Sequence, residues 1–508
     1  MRRSLARLAR RLAAAGSGAA LALTVWGGVQ PALRRPHRPG PGTVRDVAVA
    51  LGPAALRASR AAGQARATAA LRSGLVPVGR ARLVGLSWPG RAPARDGRQV
   101  LVRTLAAGRW SRWRPLAADG DDGPDPGSPE DHPGRLFTDP LWLDAGTSDL
   151  QVRVEPGTGP AGGVQAHLVT PDMTPTPGTE PARPGEATAM TAQPAIISRA
   201  AWGAAESLRR AAPSYSATVK AAYVHHTVQG NNYGRSESAA LVRADYLYHV
   251  RTRGWNDIGY NFLVDRYGQV FEGRYGGVTR PVLGAHAAGF NTDTTGVALL
   301  GTFSTSRPTP AMVSALERLL AWKLDLTHAD PLGLVALTSA GGATSRYPPG
   351  ARVVAHAILG HRGTSYTDCP GGAAYALLPQ VRAAVSRIGR PKVYGGSVRP
   401  GSVDPALGGT VGVHARFSQT VRWRVVVTGS TGARLRFWTG LGAAATVHWR
   451  VRAAPAGWAT VTVTAAAGGS SARPATSRLL VRGPPPLGGT STGGYDRGRW
   501  ILNNANAQ

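Results

Sequence analysis

A single cysteine, Cys369, stands in a chain of 508 residues, so no disulfide can form within it. Lysine is nearly as scarce. Lys220, Lys323 and Lys392 are all there is, and the rest of the 59 basic residues are arginine. Acidic residues number only 28, which leaves a formal net charge of +31. A field of that sign attracts nucleic acid or an anionic wall polymer. The arginines are spread through every segment, with no basic stripe interleaved with aromatics, so nucleic acid is not expected as a partner. Arginine-rich coding in a high-GC genome accounts for the excess, and an anionic bacterial wall polymer would exploit the same charge. No repeat of solenoid length is present, and 66 Gly with 39 Pro argue for turns and linkers rather than long helices. The length suggests about three domains.

What is present begins with a leader. Met1–Arg11 carries five arginines and no acid, and Leu12–Leu33 is uncharged and rich in Ala, Leu, Val and Gly. That order is the one used by export signals. An uncleaved membrane anchor is the alternative, because a run of about 20 apolar residues can span a bilayer. Residues 1–42 are therefore read as leader and spacer, and the expected location is secreted or cell-wall.

Residues 43–170 read as a β domain. "RQVLVRTL" (98–105), "GRWSRWRPL" (108–116) and "LQVRVEP" (150–156) alternate apolar with polar residues, the period of a half-buried strand. Such units pack as sandwiches. Ala118–His132 between them is an acidic Gly/Pro loop. Residues 171–194 form a Pro/Thr-rich linker with too little apolar content for a core. In residues 195–390 strand and helix periods alternate, the mark of an α/β domain. "VKAAYVHHT" (219–227) and "GVALLGTF" (296–303) read as strands, and "GYNFLVDRYGQVFEGR" (259–274) as a hairpin turning near Asp265–Gly268. A helix is expected from Thr309–Pro310, with Thr as cap and Pro at its first position. Residues 395–483 alternate again, as at Val421, Trp423 and Val425, and predict a second all-β sandwich. The tail 484–508 predicts no fold.

Four pieces of the α/β block do not look like scaffold: "HHT" (225–227), "GWNDIGYNF" (254–262), "GAHAAGFN" (284–291) and "GHRGTSYTDCPGG" (360–372). Histidine and cysteine are zinc ligands, and a catalytic zinc takes three protein ligands with one open position. Spacing alone does not choose them. His356 also pairs with His361, and strand alternation says only that His225 and His226 face opposite ways.

Together these pieces resemble the zinc-dependent N-acetylmuramoyl-L-alanine amidase family that includes the peptidoglycan recognition proteins and the T7-type phage lysozyme. The resemblance covers about residues 195–388, with "IISRAAWGA" (196–204) at its start. "VGLSWPG" (84–90) and "GRWSRWRPL" look like the accessory β domain ahead of such amidases in high-GC Gram-positive bacteria, and the last block is loosely similar to immunoglobulin-like modules. The resemblance implies a mixed central β-sheet flanked by helices. It implies one zinc ion held by His225, His361 and Cys369. Tyr260 matches the tyrosine that contacts the attacking water, and Thr367 matches a Lys/Thr position close to the reacting carbonyl. His226, Trp255, His286 and Asn291 sit in motifs expected to line the substrate groove. The implied activity is hydrolysis of the amide between N-acetylmuramic acid and L-alanine in peptidoglycan, by a monomer. Binding-only relatives typically lack the cysteine that this chain has; a non-catalytic peptidoglycan-binding protein is the alternative.

Overall fold

The computed structural model describes residues 40–53, 70–90, 100–116, 118–119, 122–155, 162–174 and 191–483. The leader read at Met1–Leu33, residues 175–190 of the linker and the tail from Pro484 lie outside the described residues. Among the described residues no helix is long and apolar enough to cross a membrane.

The alternating segments of the first block form two antiparallel sheets. One contains Thr43–Ala48, Gln165–Thr170, Leu83–Gly90 and Gly134–Thr138; the other contains Leu51–Pro53, Leu71–Ser73, Thr147–Val154 and Val100–Ala106. Val84, Leu86 and Leu168 of the first meet Val100, Val102 and Val152 of the second in one core. This is the expected sandwich. The last block is a seven-stranded network around the long strands Thr410–Thr428 and Arg434–Arg450. Their pairing slips between Arg416 and Val421, and residues on both sides of that irregularity, such as Val413 and Val425, share one core.

The middle block carries a six-stranded mixed sheet: β1 (Ile196–Ile197), β2 (Ala221–His226), β3 (Phe262–Val264), β4 (Val270–Glu272), β5 (Thr294–Leu299) and β6 (Ile358–Gly360), in the order β1-β4-β3-β5-β2-β6. Only the β3–β4 hairpin is antiparallel. β2 has parallel neighbours on both sides, so both its faces must be covered, and every one of its residues is buried. Helix α1 (Ser238–Leu247) lays Leu241 and Val242 against Leu263, Phe271 and Ala298 on one face, then continues into a π turn, Tyr248–Thr252. On the other face, α2 (Pro310–Asp325) and α3 (Leu378–Val385) pack Leu316, Leu320 and Val381 against Val224, Phe262 and Val297. α2 starts where the sequence reading puts it: Thr309 Oγ1 accepts the Met312 N–H, and Pro310 occupies the first turn.

The N-terminal sandwich packs directly on α1. Leu83 and Val169 join Ala244, Leu247 and Tyr248 in an apolar cluster. Tyr248 Oη donates to Thr138 O at 2.9 Å, and the Arg243 guanidinium donates to Asp172 O at 2.9 Å and to Thr174 O at 2.9 Å. Thr191, within the segment read as linker, is buried beside Gly389. The C-terminal block is tied to α2 through Lys392, whose ammonium donates to Ala321 O at 2.9 Å.

Gly85 lies flat against the Tyr248 ring, and any Cβ there would overlap it. Gly85→Val should therefore destabilise the docked pair by about 1–3 kcal/mol, the usual cost of overpacking, seen as unfolding at lower urea. Gly52→Val, at a position where a Cβ meets nothing within 4 Å, is the control and should leave the transition in place.

Candidate metal centre

β2 ends on two histidines that leave it on opposite faces, as the pleat requires. His226 lies on the Val224 side, and its Nδ1 accepts the Phe303 N–H at 3.2 Å. His225 lies on the Tyr223 side, stacked at 6.1 Å between centroids and fully buried. β6 runs parallel to β2 and delivers His361 immediately beyond its last residue, Gly360. The Gly/Thr-rich segment that follows turns back on itself. Arg362 N–H donates to Cys369 O at 2.9 Å, and Cys369 N–H donates to Thr367 Oγ1 at 3.0 Å. Cys369 thus returns to the side of its own histidine.

The ligand atoms of His225, His361 and Cys369 all lie within 4.8 Å of one another. Cys369 Sγ is 3.6 Å from His225 Nδ1, and the two imidazole centroids are 4.7 Å apart. One thiolate with two imidazoles is a donor set suited to zinc. Zn–N near 2.1 Å and Zn–S near 2.3 Å give a tetrahedral N–S edge of about 3.6 Å, so the residues fit that ion. His356, the other histidine at plausible spacing, stands exposed on the strand Arg352–His356 and outside this cluster.

His286 is not in the groove where the sequence reading expects it. It is fully buried behind His225, with Nδ1 3.2 Å from His225 Nε2. A ligating Nδ1 leaves the His225 proton on Nε2, which then donates to His286. Such outer partners fix the tautomer and ring angle of a metal-binding histidine. Burial, then the neighbouring His225 and His361, push His286 well below the usual imidazole range and keep it neutral. Gly296 of β5 makes room for this ring, since a Cβ there would overlap it.

A cavity of about 370 Å³ opens beside the cluster, lined by His226, Thr227, His249, Tyr260, Thr367 and Cys369 among others. Burial pushes His226 down to about 4 and His249 down to about 3, so both are neutral near pH 7. Burial, then the nearby Asp122 and Cys369, push the Tyr260 phenol well above its usual range, so it keeps its proton. Trp255 and Asn291, also expected in the groove, do not line this cavity. Trp255 stacks on His249 at 4.5 Å. Asn291 Oδ1 accepts the His286 N–H at 2.8 Å, and its Nδ2 donates to Gly123 O at 2.8 Å. Both are covered by the acidic loop of the N-terminal sandwich.

The same loop supplies the residue that sequence reasoning missed. Asp122 Oδ1 is 3.4 Å from His225 Nδ1 and 3.3 Å from His361 Nδ1, and its Oδ2 accepts the Tyr260 O–H at 2.7 Å. Burial opposes its charge, but the two imidazoles prevail and hold the carboxyl well below the usual range. The available signal was a run of acids, Asp119, Asp121, Asp122 and Asp125, in an otherwise basic chain. His249 had no comparable signal.

The family model described as N-acetylmuramoyl-L-alanine amidase matches residues 215–372, and one described as Rv3811 N-terminal galactose-binding domain-like matches residues 51–192. Peptidoglycan-recognition protein SC2 of Drosophila melanogaster is 32% identical over 178 residues, which cover 35% of this chain and 80% of that protein. The chain belongs to the N-acetylmuramoyl-L-alanine amidase and peptidoglycan-recognition protein family. A human N-acetylmuramoyl-L-alanine amidase is 33% identical over 192 residues, 36% of this chain and 28% of that protein. Drosophila PGRP-LB, a solved structure, is 27% identical over 36% of this chain and 90% of its own, with a TM-score of 0.28. This amidase-family domain is thus a peptidoglycan-directed amidase or binder, carried between two β-rich blocks.

His286→Ala should weaken zinc binding by about 10–100-fold, the usual cost of losing an outer partner. Competition with a fluorescent chelator measures it, and near-UV circular dichroism verifies that the variant is folded.

Proposed function

We propose that the chain is an exported zinc-dependent amidase that hydrolyses the bond between the lactyl group of N-acetylmuramic acid and the L-alanine of the stem peptide. The observation that carries this reading is the convergence of His225, His361 and Cys369 beside a cavity whose wall Cys369 shares with Tyr260 and Thr367. The basic Met1–Arg11 followed by uncharged Leu12–Leu33 supports export.

A zinc ion held by His225, His361 and Cys369 supplies Lewis acidity, which can bring the pKa of water from about 16 towards about 7 and stabilise negative charge on a carbonyl oxygen. The chain's own groups do the rest. Tyr260 keeps its proton and lies 5.4 Å from the His225 ring between centroids, so it orients the attacking water rather than deprotonating it. Thr367 Oγ1 already accepts the Cys369 N–H, which leaves its hydroxyl proton to donate to the developing oxyanion. Neutral His226 forms part of the same cavity wall. Asp245, on the same wall, is pushed well above the usual carboxylate range by burial and adds no charge against the substrate.

Zinc-loaded chain incubated with purified sacculi should release stem peptides with a new L-alanine amino terminus, identified by mass. Cys369→Ala should lower that release at least 100-fold without changing retention on sacculi. Retention with no release, by the wild-type chain and by a chain lacking the Asp122 carboxylate, would identify a binding protein instead.

A further inference from the structure

We propose that Asp122 is the fourth ligand of the metal in the resting chain, so that the N-terminal sandwich holds the amidase centre closed; the proposal rests on the hydrolase reading of that centre. Zinc bonds of 2.0–2.2 Å to nitrogen and oxygen give a tetrahedral N–O edge of about 3.4 Å. Asp122 Oδ1 meets His225 Nδ1 at 3.4 Å and His361 Nδ1 at 3.3 Å, so one oxygen satisfies two such edges at once. The other oxygen accepts a hydrogen bond from the Tyr260 O–H at 2.7 Å. A catalytic zinc keeps one position for water, whereas four protein ligands make a closed, structural type of site. The carboxylate therefore occupies the corner that water needs and engages the phenol that would orient it.

A carboxylate acting as general base would hold a water between itself and the cluster. Here the oxygen is itself in contact with both imidazole nitrogens, and no water fits between them.

The loop is seated by groups on both sides of Asp122. Arg253 Nη2 donates to Asp122 O at 3.0 Å, and Asn291 Nδ2 donates to Gly123 O at 2.8 Å. Asp125 Oδ1 accepts the Gly289 N–H at 2.9 Å and the Asn291 N–H at 3.2 Å. Glu130 pairs with Arg274 at 2.6 Å and accepts the Asn256 N–H at 2.9 Å. Glu130 and Arg274 are both buried, which protects that pair from screening. The loop backbone at Gly123 also lies against Trp255. Lifting this one segment would open the metal corner, release Tyr260 and uncover Trp255 and Asn291 together. The 370 Å³ cavity continues past Asp122 to Thr227, Tyr366 and Thr367, where substrate could begin to enter.

Cobalt(II) substituted for zinc reports the ligand set by its visible spectrum, independently of turnover, and azide serves as the probe for an open corner. Azide should leave the wild-type cobalt spectrum unchanged and should shift that of Asp122→Ala. Asp125→Ala, which loosens the loop and keeps the carboxylate, should show an intermediate azide response. Muropeptide hydrolysis by zinc-loaded Asp122→Ala should exceed wild type by at least 10-fold, and adding Cys369→Ala should abolish it. An azide shift in the wild type equal to that of Asp122→Ala would overturn the proposal. So would loss of hydrolysis in Asp122→Ala from an active wild type, which would make Asp122 catalytic. An azide response in Asp122→Ala with hydrolysis in neither chain would uphold the fourth ligand and reject the hydrolase reading.

Discussion

Three polar groups that would each prefer water are packed against one another at the end of β2, and the domain is organised around making that tolerable. His225 and His361 are fully buried, and Cys369 is nearly so. Burying such groups without compensation costs several kcal/mol. A divalent cation reverses the balance, because it turns mutual crowding into shared attraction and keeps the thiol deprotonated. The cluster makes energetic sense as a metal site and little sense as ordinary core.

Rigidity at this point comes from the sheet. β2 lies between β5 and β6, so the ends that carry His225 and His361 cannot drift apart without breaking parallel ladders. Apolar side chains of α1, α2 and α3 press on both faces. The His286 ring packs behind His225 with Nδ1 3.2 Å from His225 Nε2, and the glycine at 296 lets that ring reach it. By contrast, Cys369 sits on a loop held by its own backbone bonds to Arg362 and Thr367. Cys369 is thus placed by local turn geometry and the two histidines by tertiary pairing.

Six of the chain's 28 acids fall between Asp119 and Asp131. Asp122, Asp125 and Glu130 fall within one short loop of the N-terminal sandwich, and each meets a partner on the amidase domain. The sandwich is also bound by apolar contact between Leu83, Val169 and α1. An accessory domain attached in this way shares the wall of the cavity beside the candidate metal centre through Asp122, Asp139 and Pro140. The residues around that cavity therefore come from different parts of the chain.

Local rules in the sequence were enough for the fold class of the β and α/β segments, the Thr309 cap, the hairpin at Asp265–Gly268 and the strand ending in two histidines, because each follows from the period or turn chemistry of neighbouring residues. The quoted motifs named His225, His361, Cys369, Tyr260 and Thr367 only through family resemblance; alternation alone left His225 and His226 equivalent. Tertiary pairing separated them, since β6 lies on the side where His225 can meet His361. It also moved His286 from the expected groove to a place behind His225. Asp122 was illegible for a plainer reason. It lies about a hundred residues before His225, in another domain, and a contact across that separation leaves no periodicity in either segment. Only the docking of the sandwich on α1 brings that carboxylate against His225 and His361.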